Sequence, residues 1–399
     1  MTIRTERSRL KSDPGQLLII GFEGTDMTPR LSSLLKRIQP AGVILFARNI
    51  KSPKQTWLLV RDCQKCVTTP LFTCVDLEGG SVDRFRDVLG PAPSAADVFA
   101  SGDRNLFRKH GQVIGENCRA LGFNVDFAPV LDLAFEASRS VMSSRSVSAN
   151  PRASVAYARE FLRGLGDTGV LGCGKHFPGL GEATLDTHHE LPSVEKPLRK
   201  LWDEDLVPYC LLRRELPMVM VSHAAFPGAT RETKSRAKVR TQVRAQERSN
   251  ERIPASLSKK WITGILRKKI GYRGLICSDD LEMGAVLAAA PIEQAMIGYI
   301  RAGGDLGLIC HREDFILRAY EAVIREAERD GKFAQRVRES AGQVLAFKTK
   351  AFDKKSVASR RVPAPTSARV EKLTRQLWEF EEEIRLATLD RRDGDEDRA

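Results

Sequence analysis

The fold is decided by the stretch at residues 169–181, which reads GVLGCGKHFPGLG and is followed by Asp186-Thr187-His188. Its first part, Gly169 to Cys173, is a short apolar run, which is typical of a strand buried on both faces of a sheet. The run leads into Lys175 and His176 and then into a Pro-Gly turn. Since α/β enzymes build active sites where buried strands end in polar, turn-forming loops, the stretch predicts catalysis at the rim of a parallel sheet.

Apolar runs of the same kind recur along the chain, and helical patterns separate them. This alternation, repeated eight times, predicts an α/β fold: a (β/α)8 TIM-type barrel with a C-terminal helical extension. A doubly wound open sheet is the alternative, but the Gly-rich phosphate turn expected after its first strand is absent. The predicted strands are Gln16–Gly21, Gly42–Phe46, Leu71–Asp76, Phe123–Phe127, Gly169–Lys175, Met218–Ser222, Gly274–Ser278 and Asp305–Cys310, and the predicted helices are Leu31–Ile38, Lys54–Cys66, Asn105–Leu121, Ser154–Thr168, Leu198–Arg214, Ser258–Lys269, Pro291–Ala302 and a pair within Phe315–Lys348.

Polar or reactive side chains stand at the carboxyl ends of five predicted strands. Barrel enzymes carry their catalytic groups at this end, and packing alone does not explain five such strands. The residues are Asp76, Asp126, Lys175 with His176, His223, and Asp279 with Asp280.

The composition changes after Lys350, which predicts a barrel domain at 1–350 and a charged extension at 351–399. Residues 362–365 form a Pro-rich linker, and the apolar positions from Val370 to Ala387 recur at steps of three and four. That spacing predicts an amphipathic helix, for which docking on the barrel is favoured over dimerisation. We expect Arg391–Ala399 to be disordered.

The chain has 399 residues, of which 42% are hydrophobic, and its apolar runs are far shorter than the roughly 20 residues that span a bilayer. Met1–Pro14 alternates charges and has no apolar core, so we expect neither a secretory signal nor a membrane partner. The eight cysteines fall mostly in apolar runs and are expected to be buried, reduced thiols, which favours the cytoplasm. Cys63 and Cys66 form a C-x-x-C without a second pair, so no metal or redox role is expected.

The formal net charge of +13 is high for this length. Solubility is the favoured interpretation, and an anionic partner is the alternative. Residues 229–252 contain eight Lys or Arg against three acidic residues. We interpret this basic insertion as a tolerated surface loop, with a lid or a clamp for an anionic part of the substrate as the alternative.

Two short motifs carry the candidate chemistry. An apolar strand leads into Asp279-Asp280, where one carboxylate is suited to act as nucleophile, base or metal ligand and the other to cap the helix near Leu281. Asp186 and His188 share a face of an extended loop. The carboxylate can therefore fix the imidazole tautomer and raise its pKa, which suits His188 for acid/base catalysis.

A further group of side chains suits a polyhydroxylated ligand. Lys175, His176, Arg84 and Arg145 are donors, whereas Asp76 accepts from hydroxyl pairs, so a sugar is favoured over a phosphate. None of the His and Asp spacings matches H-x-H or H-E-x-x-H, and no metal or other cofactor is expected.

These motifs together resemble those of bacterial β-N-acetylhexosaminidases of glycoside hydrolase family 3, the single-domain type. The resemblance covers about residues 16–348. It is carried by GVILFARN at 42–49, VDLEGG at 75–80, FAPVLD at 127–132, Arg145-Ser146, KHFPGLG at 175–181 with Asp-x-His and Leu191-Pro192, and SDDLEM at 278–283.

The resemblance implies a retaining exo-β-N-acetylglucosaminidase that removes terminal N-acetylglucosamine from muropeptides during peptidoglycan turnover. In it, Asp279 matches the nucleophile, His188 the acid/base and Asp186 its orienting partner. Asp76, Arg84, Arg145, Lys175 and His176 match positions that hold the terminal sugar. Leu180 replaces a common His and Ser81 a common Arg, but neither belongs to the catalytic pair.

Other functions stay open at this point. Within the family, a β-glucosidase or an N-acetylglucosaminide phosphorylase is possible, although a β-glucosidase takes its acid from a second domain that this chain is too short to contain. A catalytically inactive sugar sensor is disfavoured by the intact pair. From another class, a polyanion-binding protein would use the basic insertion 229–252, but nucleic acid is not expected without interleaved aromatic residues. A monomer is favoured.

Overall fold

The computed structural model describes residues 14–183, 191–231, 253–353, 355–360 and 362–396. Eight parallel strands close into a barrel with the order β1-β10-β9-β8-β7-β6-β3-β2, which confirms the predicted (β/α)8 TIM-type fold. Two further strands, β4 and β5, form a small antiparallel ribbon directly after β3. The strands are β1 Leu18–Ile20, β2 Gly42–Ile44, β3 Phe72–Val75, β4 Leu77–Gly79, β5 Val82–Asp83, β6 Val125–Asp126, β7 Leu171–Phe177, β8 Met218–Val221, β9 Leu275–Asp280 and β10 Leu306–Ile309.

Two strands run further than the apolar patterns predict. β7 continues beyond its predicted end at Lys175 through His176 to Phe177, and β9 continues beyond Ser278 through Asp279 to Asp280. Polar side chains interrupt the apolar pattern of a strand, but the strand continues as long as the backbones of the neighbouring strands supply hydrogen bonds. Lys175, His176 and Asp279 therefore stand on strands, which hold them more rigidly than loops would.

Helices surround the barrel and bury their apolar faces against it. Several begin at a Pro preceded by a capping residue: Thr28, Ser52 and Asn150 each accept a backbone N–H of the first turn. None of the described helices is both long and apolar enough to cross a membrane. The helices are Pro29–Ile38, Pro53–Lys65, Arg86–Leu89, Ala95–Ala100, Arg104–Ala120, Arg139–Met142, Pro151–Thr168, Leu198–Asp203, Val207–Leu212, Pro227–Arg231, the π-helix Lys260–Ile270, Gly284–Leu287, Ile292–Ala302, Glu313–Arg329, Gly331–Ala351 and Ser367–Glu396.

The single helix predicted at Leu198–Arg214 is wrong. Two helices, Leu198–Asp203 and Val207–Leu212, are separated by a turn at Glu204. The turn brings the carboxylates of Glu204 and Asp205 to 2.7 Å from Nζ of Lys196. Pro208, in the first turn of the second helix, cannot continue the first helix, because it has no N–H and its ring would clash with the carbonyl of Glu204.

Alternate residues of the strands face opposite sides, as the pleat requires. Leu18 and Ile20 pack with the surrounding helices, whereas Ile19 lies in a second cluster to which all eight barrel strands contribute. This interior cluster includes four cysteines, and all eight cysteines of the chain are free. The four are Cys74, Cys173, Cys277 and Cys310.

A buried lysine lies near the start of the strands. Nζ of Lys348 donates to Oε1 of Gln16 at 3.0 Å and stands 5.0 Å from the ring centre of Phe72. Burial lowers the pKa of Lys348 to about 7. This end of the barrel lies opposite the catalytic end, so we regard the lysine as part of the packing.

The C-terminal helix, Ser367–Glu396, packs against the helices that follow β5. Leu373, Leu377, Phe380 and Ile384 are buried, and Arg369 pairs with Glu116 at 3.2 Å. The C-terminal helix therefore docks on the barrel domain, which was the favoured interpretation. The helix continues to Glu396, so the disorder predicted for residues 391–399 is wrong as far as Glu396. Adding residues to a helix that has already formed costs little free energy, even where its face is charged. The division at residue 350 stays a prediction.

Candidate active site

The candidate site lies at the carboxyl end of the barrel. Asp76 directly follows β3, Lys175 and His176 belong to β7, His223 follows β8, and Asp279 belongs to β9. Parallel strands end at the same edge, so these groups converge although they are far apart in the sequence. The contacts of Lys175 show this convergence.

Lys175 is buried between two carboxylates. Its Nζ stands 2.8 Å from Oδ1 of Asp76 and 2.5 Å from Oε1 of Glu78. Burial alone would lower the pKa of Lys175, but the charges of Asp76 and Glu78 raise it above the ordinary value. The lysine is therefore charged at neutral pH.

Glu78 joins this pair to Arg145. The two Glu78 oxygens accept from Nε and Nη2 of Arg145 at 2.7 and 2.9 Å, a bidentate arrangement. Burial alone would raise the pKa of Glu78, but Lys175 and Arg145 hold it at about 2. The structure thus brings together Asp76, Lys175 and Arg145, three of the five predicted sugar-binding residues.

His176 is oriented by a carboxylate that the sequence analysis did not single out. Its Nδ1 lies 2.7 Å from Oδ2 of Asp132, and its backbone N–H also donates to that side chain. An ionised carboxylate only accepts, so Nδ1 carries the proton and Nε2 is left for other partners. Asp132 also accepts from the backbone N–H of Leu180 at 2.7 Å, which ties the Pro-Gly turn to the histidine.

Asp279 is a carboxylate held in its ionised form. Burial alone would raise its pKa, but His176 and other neighbours, together with the Asp280 N–H, bring it below the ordinary value. The N–H of Asp280 donates to Oδ1 at 2.8 Å, and Oδ2 has no hydrogen bond among the described residues. An ionised carboxylate with an uncommitted oxygen is suited to nucleophilic attack.

His223 stands behind Asp279 as a neutral imidazole. Nε2 donates to the backbone oxygen of Asp280 at 2.9 Å, and Nδ1 accepts from Oγ of Ser256 at 2.7 Å. Burial lowers the pKa of His223. Both ring nitrogens are used, so this strand-end histidine supports the backbone of β9.

Asp280 has a different environment from its neighbour. Its Oδ1 accepts the Glu282 N–H at 3.0 Å and so closes a turn. The helix cap expected near Leu281 is wrong, because the next helix begins at Gly284 and Met283 precedes it. Burial raises the pKa of Asp280 to about 7. Asp280, Glu282 and His311 could each offer a metal one atom within 4.8 Å of the others, but Glu282 also accepts from the backbone of Arg312. We assign no metal to this group.

Two other predicted positions differ in their contacts. The guanidinium of Arg84 stands 5.8 Å from the ring centre of Phe46, and its buried Nε has no hydrogen-bond partner among the described residues. It can therefore donate to a ligand. Asp126 accepts the Leu77 N–H at 2.9 Å, and burial raises its pKa well above the ordinary value, so this strand-end acid is structural.

Asp186 and His188 lie outside the described residues, as does most of the basic insertion, residues 232–252. The roles predicted for them stay predictions. The residues that sequence reasoning missed are Glu78 and Asp132. Both were visible as acids within polar strand-end motifs, VDLEGG and FAPVLD, but nothing in the sequence showed which cation each would meet.

Known proteins resemble this chain in sequence and in fold. The chain matches the family model described as Glycosyl hydrolase family 3 N terminal domain over residues 9–346. A curated beta-hexosaminidase from Bordetella avium (strain 197N) is 34% identical over 309 residues, which cover 75% of this chain and 82% of that protein. The structure of a glycoside hydrolase family 3 beta-N-acetylglucosaminidase from Paenibacillus sp. matches with a TM-score of 0.80 at 29% identity, covering 93% of this chain and 68% of that one. A family 3 glycosyl hydrolase from Mycobacterium smegmatis matches with a TM-score of 0.71 at 28% identity, covering 84% and 96%.

Proposed function

Because the chain belongs to glycoside hydrolase family 3, we propose that it is a retaining exo-β-N-acetylglucosaminidase. That it is a glycoside hydrolase follows from the family and from its beta-hexosaminidase relatives. The proposal adds the sugar, the stereochemical course and the residues. The observation that supports it most is the ionised Asp279 beside Lys175 and His176 at the carboxyl end of the barrel.

The proposed binding site holds one terminal N-acetylglucosamine. Asp76 accepts from sugar hydroxyls while Lys175 donates, and the contacts of Glu78 keep Lys175 and Arg145 in place. Paired donors and acceptors of this kind select a polyhydroxylated ligand, because each sugar hydroxyl both donates and accepts. Arg84 supplies a further donor, and Nε2 of His176 is free to accept from a sugar hydroxyl.

The proposed reaction has two steps. In the first, Oδ2 of Asp279 attacks the anomeric carbon as the glycosidic bond breaks, and His188-H⁺ protonates the leaving oxygen. In the second, neutral His188 takes a proton from water, which attacks the anomeric carbon and releases the sugar from the Asp279 ester. Two inversions retain the β configuration. Asp186 holds the His188 ring in the productive tautomer.

The nucleophile is tested with its neighbour as the matched control. Asp279→Asn should lower kcat on an aryl β-N-acetylglucosaminide by at least about 10³-fold, since the attacking charge is lost. Asp280→Asn should lose far less, because an asparagine still accepts the Glu282 N–H. Equal activities of the two variants would refute the assignment of Asp279.

The stereochemical course and the acceptor need separate measurements. Proton NMR of the first product should show the β-anomer, whereas an inverting enzyme gives the α-anomer first. Repeating the reaction in phosphate distinguishes the hydrolase from a phosphorylase, which would form N-acetylglucosamine 1-phosphate. A comparison with aryl β-glucosides separates the proposal from the β-glucosidase alternative.

We propose muropeptide fragments with terminal N-acetylglucosamine as the substrates and the cytoplasm as the compartment. The compartment is supported by eight free cysteines, including Cys173 and Cys277 with their Sγ atoms 3.7 Å apart inside the barrel. Thiols this close stay reduced in a reducing compartment. Release of N-acetylglucosamine from defined muropeptides tests the substrate. The polyanion-binding alternative and the favoured monomer stay predictions.

A further inference from the structure

Asp132 is a buried carboxylate whose two oxygens have different donors. Its side chain is 0% exposed. Oδ2 accepts from Nδ1 of His176 at 2.7 Å, whereas Oδ1 accepts from the backbone N–H of Leu180 at 2.7 Å. The backbone N–H of His176 is shared between Oδ1 and Oδ2, at 3.3 and 3.2 Å. One oxygen is therefore committed to the imidazole ring and the other to the backbone of the Pro-Gly turn.

The backbone after β6 places Asp132 beside His176. Residues 129–131 run along β7: the N–H of Lys175 donates to the Pro129 oxygen at 3.2 Å, and the N–H of Leu131 donates to the Lys175 oxygen at 2.6 Å. Parallel segments that are paired in this way keep successive residues side by side. The residue after Leu131 therefore lies next to the residue after Lys175, and the backbone itself sets the contact between carboxylate and imidazole.

The turn that supplies the Leu180 N–H is tightly packed on both sides. A Cβ on Gly181 would stand 2.6 Å from the backbone oxygen of Leu133, and one on Gly179 would stand 2.8 Å from the side chain of Asp205. Gly179 also has a φ of 145°, which favours glycine. Because the backbone of the turn cannot rotate in this space, the Leu180 N–H keeps pointing at the same carboxylate oxygen.

The imidazole of His176 has one uncommitted nitrogen. An ionised Asp132 only accepts, so the proton of the neutral ring lies on Nδ1 and Nε2 keeps a lone pair. Nε2 has no hydrogen-bond partner among the described residues, yet it is not sealed from solvent. Burial alone would raise the pKa of Asp279, and His176 is the strongest of the neighbours that lower it, which places the ring beside the proposed nucleophile.

Among the residues proposed to hold the sugar, donors outnumber acceptors. Lys175, Arg145 and Arg84 all donate, whereas the acceptors are Asp76 and, through Nε2, His176. Each sugar hydroxyl has one proton to donate, so a sugar with several hydroxyls needs acceptors as well as donors. The tautomer of His176 therefore decides whether the ring adds an acceptor or yet another donor to the site.

We propose that Asp132 is a positioning residue that makes Nε2 of His176 a hydrogen-bond acceptor, so that the site selects a terminal sugar with a donating hydroxyl at that point. This inference rests on the proposed function, because it takes the strand-end residues to hold a sugar. Asp132 touches neither the sugar nor the reacting atoms. It acts through the ring proton, which stays on Nδ1 because the oxygen facing Nδ1 has no proton to give.

Asp132→Asn should reverse the polarity of the ring while it keeps the shape of the side chain. The amide oxygen has to take the position of Oδ1, because the Leu180 N–H points there and an NH2 group cannot accept it. The NH2 group then takes the position of Oδ2 and donates to Nδ1 of His176. The ring proton moves to Nε2, which becomes a donor.

Nitrogen-15 NMR of histidine-labelled protein measures the tautomer, because ring nitrogens with and without a proton resonate far apart. The chain has six histidines, and His176→Gln identifies the signals of this ring by their absence. We expect the proton on Nδ1 in the unaltered protein and on Nε2 in Asp132→Asn. A proton on Nε2 in the unaltered protein would overturn the inference.

Fluorinated substrates measure the consequence for selectivity. An aryl β-N-acetylglucosaminide with fluorine in place of its 3-, 4- or 6-hydroxyl cannot donate from that position. At one of the three positions, the loss of kcat/KM on fluorination should fall from about tenfold in the unaltered protein to about twofold in Asp132→Asn, because Nε2 no longer needs a donor. The inductive effect of fluorine on the reaction is the same in both proteins and cancels in this comparison.

Two further variants separate this role from a merely structural one. Asp205→Asn is the matched control, since Asp205 is a buried acid that packs against the same turn but pairs with Lys196 and not with the histidine. It should leave the tautomer and all three fluorine losses unchanged. His176→Gln, whose amide both donates and accepts, should lower the loss at the same position as Asp132→Asn, and it provides this test even if Asp132→Asn does not fold.

The inference and the proposed function fail by different results. If the protein hydrolyses the parent aryl β-N-acetylglucosaminide but Asp132→Asn and His176→Gln change all three fluorine losses equally, or none of them, then only the role of Asp132 is wrong. If the protein does not hydrolyse the parent substrate, then the proposed function is wrong, whichever tautomer NMR shows.

Discussion

Glu78→Gln is the substitution whose effect the structure defines most sharply. Glu78 is 4% exposed and is the shared partner of Lys175 and Arg145. Glutamine keeps the shape but removes the charge, so the two cations would lose the carboxylate that they share. We expect the variant to fold with a lower free energy of unfolding and to bind the sugar more weakly, because Lys175 and Arg145 lose their common anchor.

The magnitude follows from the pKa of Glu78, which is held at about 2 and not at the ordinary 4.5. That difference corresponds to about 3 kcal/mol of stability at pH 7. Because the folded-state pKa is the lower one, this contribution is fully present above the unfolded value and is lost as the pH falls through about 2. The gap between the two proteins should therefore be constant from about pH 5 to 7 and shrink to about 1.4 kcal/mol at pH 3.

The measurement is urea unfolding of both proteins at pH 7, 5 and 3, followed by tryptophan fluorescence. Glu383→Gln is the matched control, since Glu383 also pairs with a lysine, Lys109, but is 44% exposed. It should change the free energy of unfolding by at most about 0.5 kcal/mol. A Glu78→Gln effect as small as that of the control, or one that grows towards pH 3, would refute the reasoning.

Three further predictions concern other parts of the molecule. Lys348→Met should raise the free energy of unfolding at pH 7, and the difference from the unaltered protein should become smaller towards pH 10. The reason is that a lysine with a folded-state pKa of about 7 makes the unaltered protein more stable as the pH rises from 7 to 10.5. Urea unfolding at both pH values measures the difference, and a difference that grows towards pH 10 would contradict the prediction. Phe380→Ala should lower the free energy of unfolding by about 3 kcal/mol and make the linker near residue 363 sensitive to trypsin, while kcat stays unchanged. A linker that trypsin does not cut in the variant would argue against docking of the C-terminal helix as a source of stability. Ellman's reagent should react first with Cys66 and Cys210, the half-buried thiols, and with all eight cysteines only in urea; early labelling of Cys173 or Cys277 would contradict the described barrel interior.

The sequence predicted the barrel because each strand is short, apolar and buried on both faces. It predicted the site because the polar residues that end such strands must meet at one edge. It could not show that β7 extends beyond Lys175 to Phe177 or that β9 extends through Asp279 to Asp280, because a ladder hydrogen bond does not depend on the side chain.

The sequence could not predict the ion pairs within the site for a different reason. Glu78 and Arg145 are far apart in the chain, as are His176 and Asp132, and each ion had several possible partners. The break after Asp203, in contrast, has a local cause, because Pro208 cannot continue a helix that includes Glu204. Local patterns identify elements, whereas buried charges choose their partners only after the elements are packed.

The pairing of β1 with β10 has a consequence for how the chain is synthesised. Leu18, at the beginning of the described chain, is in register with Gly307, almost three hundred residues later. Until the ribosome has released residues 306–309, the growing sheet has two open edges that can pair with neighbouring nascent chains. Truncated chains that end before this strand should therefore aggregate and bind chaperones, whereas a chain that ends after residue 351 contains all eight strands of the closed barrel.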